Sequence, residues 1–152
     1  MKLYLDTNII YNHFVKVVRK EKVPKVYEFL YSNKDAHNYY VSNLTRAEIF
    51  RILHSEFNVT SEECYRLWED FLEALCVKEI IIEEFERKIK FNEIADMLSR
   101  SSAGRGIIIN LIHLLIAKEG NLIVLTGDKA LKGRFKVFYR EILTYYEVRK
   151  LI

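Results

Sequence analysis

The sequence predicts an α/β domain with a mostly parallel central sheet. Three observations carry that prediction. Short apolar segments of strand length alternate along the chain with longer stretches of helical periodicity. The segments KLYL, NYYVS and NLIVLT are largely apolar rather than alternating, as in strands covered on both faces. The 152 residues hold one Pro and five Gly, with no linker, repeat or low-complexity tract, so one domain spanning 1–152 is expected.

The elements follow in order. Lys2–Asp6 reads as the first strand and Thr7 to about Arg19 as a helix. Pro24 opens a second helix ending near Asn33, since Pro suits a first helical turn. Asn38–Ser42 is a strand, and Asn43 is a candidate N-cap for a helix from Leu44 to about Phe57. Thr60 caps the next helix, with Glu63 at capping-box spacing. Its stripe Tyr65, Trp68, Phe71, Leu72 and Leu75 reads as core, with an excess that, together with Phe29 and Leu30, suits a subunit or partner face. Glu79–Ile82 is a short strand, Glu84–Ser99 a helix and Ser101–Gly106 a turn. Ile107–Lys118 is an almost wholly apolar and therefore buried helix. Asn121–Thr126 is a strand turned by Gly127-Asp128, Lys136–Tyr139 a candidate last strand, and Tyr145–Leu151 a closing helix capped by Thr144. Alternation of this kind implies right-handed βαβ units.

Composition narrows the function classes. Half the residues are apolar and 13% aromatic, which suits a packed core and excludes a disordered chain. The net charge of +3 permits a nucleic-acid partner without establishing one. Cys64 and Cys76 form no CxxC or Cys/His cluster, so reduced thiols are expected rather than a zinc site. Asp6 interrupts the first apolar run, and no run is long enough to span a bilayer. A cytoplasmic protein with no membrane partner is the expectation.

Acidic residues stand where an open parallel sheet binds ligands, outside the carboxyl ends of its strands. KLYL ends in Asp6, and NLIVLT ends in Gly127-Asp128. Glu48 lies just over one turn into the helix after NYYVS, four residues from Leu44 and four from Ile52. Residues four apart share a helix face, so Glu48 falls in the apolar stripe, where an acid needs a partner or a metal. Converging carboxylates repel one another, and a hard dication such as Mg²⁺ or Mn²⁺ relieves the repulsion. Each acid also has an ordinary structural use. Asp6 is placed to cap a helix, Asp128 to make a turn, and Glu48 to pair with a nearby Arg or Lys.

YLDTNII at Tyr4–Ile10, SNLTRAEIFRIL at Ser42–Leu53 and GRGIIINLIHLLIAKEGNLIVLTGDKAL at Gly104–Leu131 together resemble the motifs of PIN domains, including VapC-type toxins, in order and spacing. The resemblance implies a three-layer αβα sandwich and a Mg²⁺- or Mn²⁺-dependent endoribonuclease. It implies metal ligation by Asp6, Glu48 and Asp128, with Asn8 and Thr126 in support. It further implies products with a 5′-phosphate and a 3′-hydroxyl, and an antitoxin partner. One position departs from the pattern. The family's further Asp, at the start of the buried helix, is Asn110 here, followed by Leu111, Ile112, His113 and Ala117. Asn offers a neutral oxygen in place of a carboxylate, so affinity for a second metal should fall. Three explanations stay open: a site working with one metal, a weakened or inactive relative that still binds RNA or protein, and an introduced inactivating change. Asp96 is a candidate substitute acid.

RNA entering an acidic pocket needs a basic rim. Arg46 and Arg51 flank Glu48, while Arg105, Lys129 and Lys132 flank the other motifs. Tyr39, Tyr40, Tyr145 and Tyr146 are candidates for stacking on bases, for core packing or for a homodimer interface. His13 could face the cleft or the surface, and His113 could face the cleft or bond internally; His37 and His54 carry no signal. A Rossmann-like nucleotide binder is the rival from another class, but the DTN turn after the first strand has no Gly-rich phosphate cradle.

Overall fold

A computed structural model of the chain describes residues 1–82 and 107–151. Five strands form one sheet: β1 Lys2–Leu5, β2 Asn38–Ser42, β3 Lys78–Ile80, β4 Ile123–Thr126 and β5 Ile142–Thr144. Their order is β3-β2-β1-β4-β5 and every neighbouring pair is parallel. The described helices are α1 Thr7–Val18, α2 Lys25–Ser32, α3 Asn43–Phe57, α4 Ser61–Leu75, α5 Ile107–Glu119, α6 Lys129–Phe135 and α7 Tyr145–Lys150.

Strand alternation sends successive side chains to opposite faces, and β1 shows it. Leu3 and Leu5 join a core with Ile9, Ile10 and Phe14 of α1, Ile49 of α3 and Trp68 of α4. Tyr4 points the other way, into a second core with Leu111, Leu114 and Ile116 of α5 and Phe135 of α6. Helices therefore cover both faces, giving the three-layer αβα sandwich that the resemblance implies. The sheet grows from β1 through β2 to β3 on one side and through β4 to β5 on the other. The order thus reverses between β1 and β4, the switch point at which such sheets bind ligands.

Several local expectations need correction. The N-cap of α3 is Ser42, not Asn43: its side chain accepts from Thr45 N, and Thr45 returns the bond. Thr60 does cap α4 through Glu63 N, but the Glu63 carboxylate pairs with Arg66 rather than closing a box. In the α4 stripe, Trp68, Phe71 and Leu75 are buried whereas Tyr65 is 50% exposed, against Phe50. The first turn of α5 is not buried either, with Ile108 51% exposed. Lys136–Tyr139 is no strand. Phe138 N and Tyr139 N both bond back to Phe135 O, so the segment ends α6, and Ile142–Thr144 is the strand. Thr144 caps α7 with a complete capping box through Glu147. Cys64 is buried and Cys76 exposed, both as free thiols. The predicted 84–99 helix, the 101–106 turn, Asp96 and Arg105 lie outside the described residues.

Candidate active site

β1 and β4 run side by side, with Leu5 in register with Leu125, so the residues following them emerge together. Asp6 is only 8% exposed at the N-terminus of α1. Its Oδ1 accepts from Thr7 N at 2.8 Å and its Oδ2 from the Thr126 hydroxyl at 2.8 Å. The Thr126 oxygen in turn accepts from Asn8 Nδ2 and from Asp128 N, each at 3.1 Å. Asn8 Oδ1 accepts from Gly127 N at 2.9 Å. Asn8 and Thr126 therefore clamp the two strand ends together. Asp128 caps α6, its Oδ1 accepting from Ala130 N at 2.8 Å. The capping and turn readings of Asp6 and Asp128 hold together with their place in the cleft.

Glu48 finds its partners among neither Arg nor Lys of the described residues. Its Oε1 accepts from the Thr7 hydroxyl at 2.9 Å and from His113 Nε2 at 2.5 Å. Behind His113 stands Tyr4, whose hydroxyl lies 2.5 Å from Nδ1 and 2.8 Å from Ser42 Oγ. Burial holds the Tyr4 phenol above its ordinary range, so it keeps its proton. Ser42 Oγ accepts from Thr45 N at 3.3 Å and so has its own proton for Tyr4. Tyr4 then donates to Nδ1, and a ring accepting there carries its proton on Nε2, facing Glu48. The chain Ser42–Tyr4–His113–Glu48 is thus internally consistent, and His113 bonds inward at the edge of the cleft.

Asp6, Glu48, Asn110 and Asp128 line one cleft of about 300 Å³, with Thr7, Asn8 and Tyr11 also in its wall. Burial raises the Asp6 carboxyl above the ordinary range, and the Glu48 carboxylate adds to the shift. The His113 ring, the Thr126 hydroxyl and the Thr7 N–H oppose it. The donor set is oxygen, which suits a hard dication. Among the described residues no three His, Cys, Asp or Glu side chains close tightly enough to hold an ion. The acids share the cleft wall without meeting at one point.

The basic residues are placed differently. Arg46 bonds Glu79 at 3.4 Å, and the same carboxylate accepts from Trp68 Nε1 at 3.1 Å. Lys132 pairs with Glu147, and Lys129 lies 5.4 Å from the centre of the Tyr146 ring. Arg51 is exposed on α3. None of these four is in the wall of the acidic cleft. Tyr39 is core, with its hydroxyl on Leu30 O; Tyr40 packs against the second core. His13 faces neither cleft nor solvent. It is 8% exposed and stacked on Tyr27 at 4.0 Å, and burial lowers its pKa to about 4. Sequence reasoning missed Tyr4, Thr7 and Tyr11. Thr7 had a usable signal, a hydroxyl beside a strand-end acid; Tyr4 had none in an apolar strand.

Residues 3–134 match the family model described as PIN domain, and the chain belongs to that family. A solved structure is similar in fold: the crystal structure of VapBC2 from Rickettsia felis bound to a DNA fragment from their promoter. It shares 19% identity and a TM-score of 0.61, over 95% of this chain and 97% of that one. No curated protein matches the chain in sequence. Among the described residues no helix is long and apolar enough to cross a membrane.

Proposed function

We propose, from membership of the PIN domain family as premise, that this chain is a Mg²⁺- or Mn²⁺-dependent endoribonuclease, the toxin of a type II toxin–antitoxin pair. It acts in the cytoplasm as one domain over 1–152 and as a homodimer. The observation that carries the reading is the gathering of Asp6, Glu48, Asn110 and Asp128 in one cleft at the sheet's switch point. Asp6, Glu48 and Asp128 are the residues that would hold the metal. Bound there, the dication supplies charge neutralisation at the scissile phosphate and acidification of water.

The chain's own residues do the positioning. Thr126 orients Asp6 and, through Asp128 N, the loop that carries the third acid. Thr7 and His113 both donate to Oε1 of Glu48, so its orientation is set from two sides and Oε2 is left for the cleft. Asn8 fixes the spacing of the two strand ends through Gly127 N. Arg51, Arg105, Lys129 and Lys132 are assigned to the phosphate backbone outside the cleft; Arg46 joins them by leaving Glu79.

The test is cleavage of a mixed panel of structured and single-stranded RNAs with and without Mn²⁺. The chain is compared with Asp6→Asn and Asn110→Asp. Metal-dependent cutting that Asp6→Asn loses supports the reading. No cutting by any chain, Asn110→Asp included, sinks it. Asn110 and the open spacing of the acids favour a second reading, a catalytically weakened or inactive module that binds RNA or protein. Cutting by Asn110→Asp alone selects that reading.

A further inference from the structure

A second hollow adjoins the acidic cleft and holds about 410 Å³, against about 300 Å³ for the cleft itself. The two share Asn8 and Asp128. Its floor is apolar, from Ile9 of α1 with Pro24 and Val26 of the following segment. Tyr145 and Tyr146 of α7 and Asn12 of α1 also line it. Tyr145 is fixed by an edge contact to Phe29 at 5.4 Å. Tyr146 is 59% exposed, a large ring left largely to solvent. A cation stands over each ring: Lys129 lies 5.4 Å from the Tyr146 centroid and Arg149 lies 5.6 Å from that of Tyr145.

We infer that this hollow is a nucleobase subsite, taking the unpaired base of the nucleotide next to the phosphodiester in the acidic cleft. The inference rests on the nuclease reading for its place along the RNA. A phosphodiester beside Asp128 is joined to a nucleotide on each side, and Asp128 lines the hollow as well as the cleft. Apolar floor, aromatic wall and amide edges are what a planar heterocycle with polar edges requires. Cations against the rings suit a ligand that carries a phosphate with every base, and favour a polyanion over an apolar peptide. A base held here must be unstacked from its own strand, so the substrate class is single-stranded RNA or a loop. Tyr146 supplies the stacking face and Asn12 the hydrogen bonds to the base edge.

Binding tests this apart from cleavage. A fluorescently labelled single-stranded RNA decamer of mixed sequence is titrated with the full chain in Ca²⁺, and anisotropy is read. The second probe is a decamer of the same length carrying abasic ribose throughout. Tyr146→Ala is expected to bind the base-bearing decamer about tenfold more weakly and the abasic one as the wild-type chain does. Tyr146→Phe is expected to restore binding, and Asn12→Ala to weaken it only for the base-bearing probe. Equal binding of the base-bearing decamer by wild type and Tyr146→Ala overturns the inference. So does an equal loss on both probes, which would make Tyr146 a support for phosphate contacts, and so does a wild-type chain that binds neither. Tyr146-sensitive, base-dependent binding in chains that never cut RNA, Asn110→Asp included, would sink the nuclease reading while leaving the base subsite standing.

Discussion

Removing one hydroxyl from the middle of the sheet, in Tyr4→Phe, is expected to disturb both stability and the acidic cleft. Tyr4 is fully buried, and its hydroxyl bonds His113 Nδ1 and Ser42 Oγ. The ring itself is retained in Phe, so no cavity term enters. What is lost is a partner for two buried polar atoms, each costing about 1–3 kcal/mol when unsatisfied. Ser42 keeps its bond from Thr45 N, so the lower half of that range applies to it. The sum is about 2–5 kcal/mol, which for a chain of this size lowers Tm by roughly 4–20 °C. The second effect is chemical. With Nδ1 no longer accepting from Tyr4, the Glu48 carboxylate is the one partner among the described residues left holding the ring proton on Nε2. Urea melts report the stability change. Long-range ¹⁵N–¹H spectra of the imidazoles report the tautomer, expected as Nε2–H in the parent and with a minor Nδ1–H population in the variant. A variant as stable as its parent, with His113 still purely Nε2–H, would refute the assigned direction of the chain from Ser42 to Glu48.

Two other outcomes are expected. His13 is held neutral with its pKa pushed down to about 4, so between that value and 6.5 the unfolded chain takes up a proton that the folded chain refuses. The contribution of the buried neutral ring is fully present above pH 6.5 and is lost as pH falls towards 4, by about 2 kcal/mol between pH 7 and pH 5. Urea midpoints at the two pH values measure it. His13→Phe, which keeps a ring on Tyr27, should flatten the dependence, and an unchanged slope would show that other groups cause it. Asp6 carries a carboxyl whose pKa burial raises, so its ionised form destabilises the metal-free fold at neutral pH. Asp6→Asn, which still caps α1, should therefore melt higher than its parent without metal. Mn²⁺ should raise the melting temperature of the parent and leave the variant unmoved, as differential scanning fluorimetry can read; a rise in both would place the metal elsewhere.

What the sequence disclosed was governed by local rules. Asp6 and Asp128 were legible because a strand-end acid before a helix is a local pattern, and Glu48 because its face follows from residues four apart. The alternation of elements led to the layered sandwich. The basic rim was not legible in the same way, since Arg46 is drawn to Glu79 33 residues on, and only the packed chain shows that pairing. Tyr4 is the clearest case of hidden information. In KLYL it reads as one more core side chain, and it is one. Its role at the cleft depends on partners 38 and 109 residues away, which no period or spacing announces. The misplaced last strand has a simpler cause, because Lys136–Tyr139 and Ile142–Thr144 are both short and apolar, and the backbone bonds to Phe135 O decide between them.

The strand order also bears on how the protein is made. β1 is made before the other described strands, yet one of its two neighbours, β4, comes more than a hundred residues later. Until then the central strand has one partner and one open edge, with apolar side chains on both faces, the arrangement that invites pairing with foreign strands. The Asp6–Thr126 bond spans 120 residues, so the cleft cannot close before β4 has been made. A growing chain that stops short of β4 would therefore lack the cleft and be prone to aggregate.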